Sequence, residues 1–367
     1  MDYGVAALLM SVISPQRQFP TFDRQHSKAI VMNKEVEEKI AKLESKYAAM
    51  GQDMNAYLDG LLLSNYLPYW EYTSVDTLLT LQKPRTDFPD EVIFIMYHQI
   101  TELYFRLILH EMEQIAGNGR NVLPNGQDLG WKEALTVEFL VDRLKRINMY
   151  FDALTHSYAI MEKGMEKEQF LRFRMALLPA SGFQSAQYRK IEICATDLRN
   201  LVHKDHRAKY SSTVDDEPGI RSMFEHIYWK AGATELETGQ KTLTLLQFER
   251  KYGEELIALA LDYRKKNMWA KFASLSASDR QNPELVREMR ALDANVNVNW
   301  PLQHYRTAAR YLLRDKDEVA ATGGTNWQQY LPPRFMKRIF FPELWSDQEK
   351  DEWGKSWLIS QLKDGNP

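Results

Sequence analysis

The sequence of 367 residues is poor in cysteine, with Cys194 alone. One cysteine excludes an internal disulfide, a cysteine-rich zinc site and an iron–sulfur cluster held by this chain alone. The composition suits the reducing cytoplasm, where we expect to find the protein.

The sequence also lacks a strong excess of charge and a long apolar run. Its 47 Lys and Arg residues nearly balance 50 Asp and Glu residues, for a net charge of -3. No window contains the roughly 18 apolar residues of a membrane span. The apolar stretch at residues 5–13 lacks a preceding basic run, which favours a packed segment over a signal peptide. We therefore expect neither nucleic acid nor a membrane as a partner.

Period-two alternation, which is typical of half-buried strands, is rare. Apolar residues instead recur at spacings of three and four, which predicts an all-α fold. No repeat or shift in composition marks a domain boundary. We predict an N-terminal helical arm over residues 1–60 and an all-α domain over residues 61–367. The predicted helices cover residues 36–63, 90–115, 132–163, 166–177, 184–201, 221–229, 243–275, 283–293 and 300–313.

Several common catalytic motifs are missing. The sequence has no G-x-G-x-x-G, no G-x-x-x-x-G-K-[ST] and no H-E-x-x-H, so the usual phosphate-binding loops and the zinc-protease helix are absent. No histidine has a glutamate three residues before it, which argues against a carboxylate di-iron bundle. His203 and His206 form H-x-x-H in a charged stretch, where a solvated helix end is favoured over a metal site.

Two histidines lie beside apolar helix faces. His98 has Phe94 one turn before it, and His304 has Trp300 one turn before it. Each alone is typical of a core histidine with satisfied hydrogen bonds. Two on separate helices of an all-α chain also suit a haem held between helices, with one imidazole on the iron and the other on the opposite face.

Two further segments could bind a small molecule. Arg174 follows an apolar helix face and precedes a Ser-Gly turn at residues 179–185. It could pair with a carboxylate, or it could be a surface arginine with a buried stem. Gly323 and Gly324 lie in a loop that could approach a ligand closely, although most such loops are only flexible connections.

Four separated segments together resemble the tryptophan 2,3-dioxygenase family of haem enzymes. They occur in the family's order between residues 94 and 344. They read FIMYHQITEL at 94–103, FR at 173–174 with PASGFQSAQYR at 179–189, WPLQHYRT at 300–307 and FFPEL at 340–344.

The resemblance implies an all-α, helical bundle-like haem protein and an oxidoreductase. Its cofactor would be haem b, and its substrates L-tryptophan and O2. The reaction would cleave the indole C2–C3 bond to give N-formylkynurenine, the first step of tryptophan catabolism by the kynurenine route. The family is typically tetrameric, so we expect a homotetramer.

The resemblance also assigns roles to residues. His304 would ligate the haem iron, and His98 would accept a hydrogen bond from the indole N–H. The other roles concern the pocket walls and the polar ends of the ligands. Phe94 and Phe170 would flank the indole, Arg174 would pair with the substrate carboxylate, Thr322 would contact the amino-acid head group, Ser181 and Trp300 would border the haem, and Tyr69 and Tyr72 would line the pocket of a neighbouring subunit.

The sequence departs from the family pattern in two places. The loop at residues 321–327 reads ATGGTNW, without two flanking glycines and with a bulky Trp327. Tyr69-Trp-Glu-Tyr72 lacks the glycine of the family's Y-G-x-Y. Lost glycines restrict the backbone. One alternative is therefore a haem oxygenase or monooxygenase of the same superfamily that acts on a substituted tryptophan or another indole. A second is a non-catalytic haem-binding helical protein.

Overall fold

The computed structural model describes residues 33–64, 66–117, 135–210, 216–234, 238–312 and 332–355. Within these ranges the regular structure is helical, without a strand and with two isolated bridges, Val202–Ile227 and Thr234–Lys241. The predicted all-α fold is confirmed. The chain divides into two compact units, residues 1–79 and 80–367. The proposed arm, residues 1–60, lies inside the first unit, and its boundary stays a prediction.

Within residues 33–64 and 66–79, the first unit has four helices. They are α1 (Lys34–Ala49), α2 (Met54–Leu63), α3 (Tyr69–Tyr72) and α4 (Val75–Leu78). The helix predicted over residues 36–63 is thus two helices. Gly51 adopts a left-handed φ of +67° between them, and the Asp53 side chain accepts a hydrogen bond from the Asn55 N–H to cap α2.

The second unit contains the remaining helices. They are α5 (Pro89–Ala116), α6 (Val137–Lys163), α7 (Lys167–Phe173), α8 (Ala186–Ala195), α9 (Lys204–Arg207), α10 (Glu217–Glu225), α11 (Tyr228–Ala231), α12 (Leu243–Tyr263), α13 (Met268–Ala273), α14 (Pro283–Ala294), α15 (Trp300–Leu312), α16 (Pro333–Met336) and α17 (Asp347–Asp351). Several predicted long helices are broken here. The helices predicted over residues 184–201 and 243–275 are each divided in two. Asp197 and Asn267 cap the second segment of each, and each side chain accepts a hydrogen bond from a backbone N–H.

Helix α5 is the centre of this unit and packs against α6, α7, α8 and α13. It starts with Pro89 in its first turn and ends at Gly117, whose φ is +83°. By length and composition α5 could cross a membrane, contrary to the expectation from the sequence. The same properties are typical of a core helix, and its buried Tyr97, Phe105 and Ile108 belong to the hydrophobic core.

Helices α14 and α15 are joined by a π-helix, Asn295–Asn299, which the sequence did not predict. Buried polar contacts support this wide turn. The Asn297 amide donates to Asp293 at 2.7 Å, and the Tyr188 hydroxyl donates to the Val296 carbonyl at 2.9 Å. The helix that carries His304 therefore continues directly from α14.

Asp293 also holds the FFPEL segment against α14. Its carboxylate accepts hydrogen bonds from the backbone N–H groups of Phe340 at 2.9 Å and Phe341 at 3.0 Å. The Trp345 indole N–H donates to the same carboxylate at 3.0 Å. The buried Asp293 carboxylate therefore anchors the FFPEL segment to α14.

Candidate active site

A cavity of about 260 Å³ lies among helices α5, α6, α7, α8 and α15. Six of the ten residues singled out in the sequence line it. These are Phe94, His98, Phe170, Ser181, Trp300 and His304. Residues that are far apart in the chain are thus brought to one largely apolar space.

The position of the His98 imidazole is fixed by its own helix. Its Nδ1 lies 2.7 Å from the backbone carbonyl oxygen of Phe94. Because a carbonyl oxygen can only accept, Nδ1 carries the proton and Nε2 carries a lone pair. The Phe94 ring lies 4.1 Å from the imidazole, between ring centroids. Burial lowers the pKa of His98, so the ring is neutral and Nε2 is an acceptor.

His304, on α15, is a second neutral imidazole. Burial, with a smaller contribution from the nearby His98, lowers the pKa of His304 to about 4. Neither ring nitrogen has a hydrogen-bond partner within the described ranges. A Cβ added to Gly182 would lie 3.7 Å from the imidazole Cε1 atom, so the glycine backbone passes close to the ring. His304 therefore keeps its lone pair for a ligand.

Aromatic rings form one wall of the cavity. The centroid of Phe170 lies 6.1 Å from that of Phe94 and 4.7 Å from that of Tyr311. The Tyr311 hydroxyl donates to the backbone carbonyl oxygens of Met161 and Met165, which fixes that ring. Such a wall suits a flat apolar ligand.

The Ser-Gly turn that follows Arg174 in the chain borders the cavity. The Ser181 hydroxyl accepts from the Phe183 N–H at 3.4 Å, and the side-chain Oε1 of Gln184 accepts from the Ser181 N–H at 3.3 Å. The Gln184 amide also donates to the Thr244 carbonyl at 3.2 Å. Ser181 and Gly182 are therefore held rigidly against the cavity.

A buried polar network also reaches the cavity and was missed in the sequence. Arg189 and Arg338 both line the cavity and both pair with the carboxylate of Glu192, Arg189 at 3.1 Å. The Tyr228 hydroxyl donates to the same carboxylate. Glu192 and Arg338 are 146 residues apart, so no local pattern could have shown this pairing.

The other predicted residues lie elsewhere. Arg174 begins a short 3₁₀ helix after α7 and is 9% exposed, but it is not one of the described side chains that line the cavity. Thr322 and the loop at residues 321–327 lie outside the described residues. Tyr69 and Tyr72 are on α3 in the first unit, 74% and 81% exposed.

The H-x-x-H pair lies at the start of α9. His203 caps α9 by accepting from the Asp205 N–H at 3.4 Å. The His206 ring lies against His226, with centroids 4.4 Å apart. No group of three His, Cys, Asp or Glu side chains in the described ranges is arranged to hold a metal.

Comparisons with known proteins agree with the resemblance. The family model "Tryptophan 2,3-dioxygenase" matches residues 61–313. The chain is 28% identical to the tryptophan 2,3-dioxygenase of Ruegeria sp. strain TM1040 over 282 residues, which is 76% of this chain and 91% of that protein. It is 29% identical over 290 residues to the protein of the same name from Ruegeria pomeroyi, with the same coverage. A shorter match, 39% over 132 residues, is to tryptophan 2,3-dioxygenase 2 of Ralstonia nicotianae, covering 35% of this chain and 33% of that protein.

Proposed function

The chain belongs to the tryptophan 2,3-dioxygenase family of oxidoreductases, and on that basis we propose that it is a haem-dependent dioxygenase acting on L-tryptophan. Both atoms of O2 would add across the indole C2–C3 bond to give N-formylkynurenine, the first step of the kynurenine route. The observation that carries the proposal is the presence of two neutral imidazoles, His98 and His304, in one aromatic-walled cavity.

The cavity residues fit haem b. His304 would ligate the iron, since a neutral imidazole with an available lone pair is the usual proximal ligand. Because Gly182 has no side chain, nothing from this residue fills the position 3.7 Å from the Cε1 atom of that ring. Arg189 and Arg338 are guanidinium groups on the cavity surface, which suits the two carboxylates of haem b. Ser181 and Trp300 would border the macrocycle. When bound, haem supplies the redox chemistry of O2 activation.

The indole would lie between the aromatic rings. Phe94 and Phe170 would contact its faces and exclude water from the reacting bond. His98 would accept the indole N–H through Nε2, because Nδ1 already donates to the Phe94 carbonyl. This hydrogen bond fixes the orientation of the ring in the pocket.

The ammonium and carboxylate groups of the substrate need polar or charged partners in the protein. Arg174 would pair with the substrate carboxylate, and Thr322 would contact the head group. Arg174 lies one turn after Phe170 in the chain, so the two residues would hold opposite ends of one substrate molecule. A charge-assisted pair of this kind is about twice as strong as a neutral hydrogen bond.

We extend the proposal to a homotetramer in which Tyr69 and Tyr72 line a neighbouring subunit's pocket. Both rings are largely exposed on α3, as are nearby Tyr66 and Leu67. Apolar side chains exposed in such a cluster are typical of a surface that another chain covers.

A second candidate function also uses haem and O2 but differs in the substrate or in the number of oxygen atoms that are inserted. It is favoured by the altered loop at residues 321–327, in which Trp327 replaces a family glycine. A bulkier loop could prefer a substituted tryptophan or another indole, or direct insertion of one oxygen atom.

The deciding experiment identifies the product. The protein would be purified with haem b, reduced, mixed with L-tryptophan under ¹⁸O2, and the product analysed by mass. Two labelled oxygen atoms in the product support the dioxygenase. One labelled atom, or turnover of substituted tryptophans only, supports the second candidate. No product with any indole, despite an intact Soret band, would contradict both.

A further inference from the structure

Tyr158 lies beside the proposed iron ligand. It is on α6, is 5% exposed and lines the cavity. Its ring centroid is 6.2 Å from that of His304, and the two ring planes are only 28° apart. Neither the motifs nor the resemblance drew attention to this tyrosine.

Tyr158 is itself fixed on two sides. Its ring lies 4.7 Å from Trp300 on α15 and 5.8 Å from Tyr97 on α5, between centroids. Three helices therefore hold one aromatic ring in place. Because the Tyr158 ring is held in place, it restricts the orientation of the side chain that stacks on it.

Imidazoles that ligate a metal are normally oriented by a hydrogen bond from the second ring nitrogen. His304 has no such partner among the described residues. Its orientation must therefore come from packing, and the Tyr158 ring is the side chain stacked nearly parallel to it.

We infer that Tyr158 is a positioning residue, whose ring holds the His304 imidazole in the orientation that ligates iron. This inference rests on the proposed function, because it assumes that His304 binds haem.

The ring, rather than the hydroxyl, carries this role. The Tyr158 hydroxyl has no hydrogen-bond partner within the described ranges. Phenylalanine should therefore replace Tyr158 without loss, whereas a side chain without a ring should not.

The test compares Tyr158→Phe with Tyr158→Leu and with Tyr158→Met, which fills a similar volume without a ring. Phe151→Leu is the matched control, because Phe151 is fully buried on the same helix two turns earlier and does not line the cavity. Haem affinity is measured by titrating the apoprotein at the Soret band. The ferric EPR spectrum reports the imidazole orientation, and circular dichroism reports folding.

We expect haem affinity within about twofold of wild type for Tyr158→Phe and Phe151→Leu. Tyr158→Leu and Tyr158→Met should bind haem about tenfold or more weakly, with a changed EPR spectrum, as loss of an outer-shell partner does at metal sites. If either ringless variant misfolds, the other and Tyr158→Phe still decide.

Wild-type affinity and spectrum in a folded ringless variant would overturn the inference. So would weak binding by Tyr158→Phe, since the hydroxyl would then carry the effect. Wild-type protein that binds no haem would instead contradict the proposed function, so the two failures are distinguishable.

Discussion

The Nδ1–H of His98 donates to the carbonyl oxygen of Phe94 at 2.7 Å, one turn earlier on the same helix. The helix backbone itself thereby selects the tautomer and aims the acceptor nitrogen away from α5. No other side chain is needed to fix the proton.

His98→Ala should lower kcat/KM for L-tryptophan about five- to tenfold, because one neutral hydrogen bond contributes about 1 kcal/mol. The same variant should show a much smaller decrease with 1-methyl-L-tryptophan, which has no indole N–H to donate. Steady-state kinetics with both substrates provide the measurement. Equal losses with the two substrates would contradict the assigned hydrogen bond.

His304→Ala should lose haem, because the iron loses its protein ligand. We expect the ratio of Soret to protein absorbance to fall more than about tenfold in purified protein. His156→Ala is the matched control, since His156 is an exposed histidine on α6 that contacts only its own helix backbone among the described hydrogen bonds. Full haem content in His304→Ala would show that the iron ligand lies elsewhere.

Arg174→Ala should lower kcat/KM for L-tryptophan about tenfold or more, mainly through KM, because a charge-assisted hydrogen bond contributes about 1.5–3 kcal/mol. Arg172→Ala is the control. Arg172 lies two residues earlier and stacks on the Phe88 ring, 4.5 Å from its centroid. Steady-state kinetics compare the two variants, and unchanged kcat/KM in Arg174→Ala would refute the carboxylate role.

Asp293 should make stability depend on pH. Burial raises its pKa from 3.8 to about 6, although four N–H donors oppose the rise. The folded state therefore binds this proton more tightly than the unfolded state. The contribution is fully present below about pH 4 and is lost as pH rises through about 6.

Asp293→Asn removes this titration. From pH 4 to pH 7.5, the wild-type protein should lose about 2.5 kcal/mol of unfolding free energy relative to Asp293→Asn, at about 1.4 kcal/mol for each pKa unit. Urea unfolding at several pH values measures it. A difference that does not vary with pH would mean that Asp293 has the same pKa in the folded and unfolded states.

The helices were the easiest part of the fold to predict from sequence. Pro89 and Gly117 mark the ends of α5 closely, because a proline in the first turn and a left-handed glycine after the last are local signals. The interruptions were not predicted. Caps such as Asp197 and Asn267 look like ordinary polar residues until the tertiary structure turns the chain there.

The site could be predicted only in part. His98 and His304 stand out by their apolar neighbours, but spacing alone could not separate a haem site from two core histidines. The shared motifs are what favour the haem hypothesis. Tyr158 and Arg338 carry no local signal, since their partners lie on other elements of the chain.

The π-helix between α14 and α15 has a consequence for insertions and deletions. Successive residues of an α-helix are about 100° apart around its axis. In a π-helix each hydrogen bond spans five residues rather than four, so deleting one residue within Asn295–Asn299 restores an α-helical turn, whereas adding one residue turns all of α15 by about that angle relative to α14. His304 would then leave the cavity although every side chain in the site was unchanged. The site depends on the number of residues in this turn as well as on their identity.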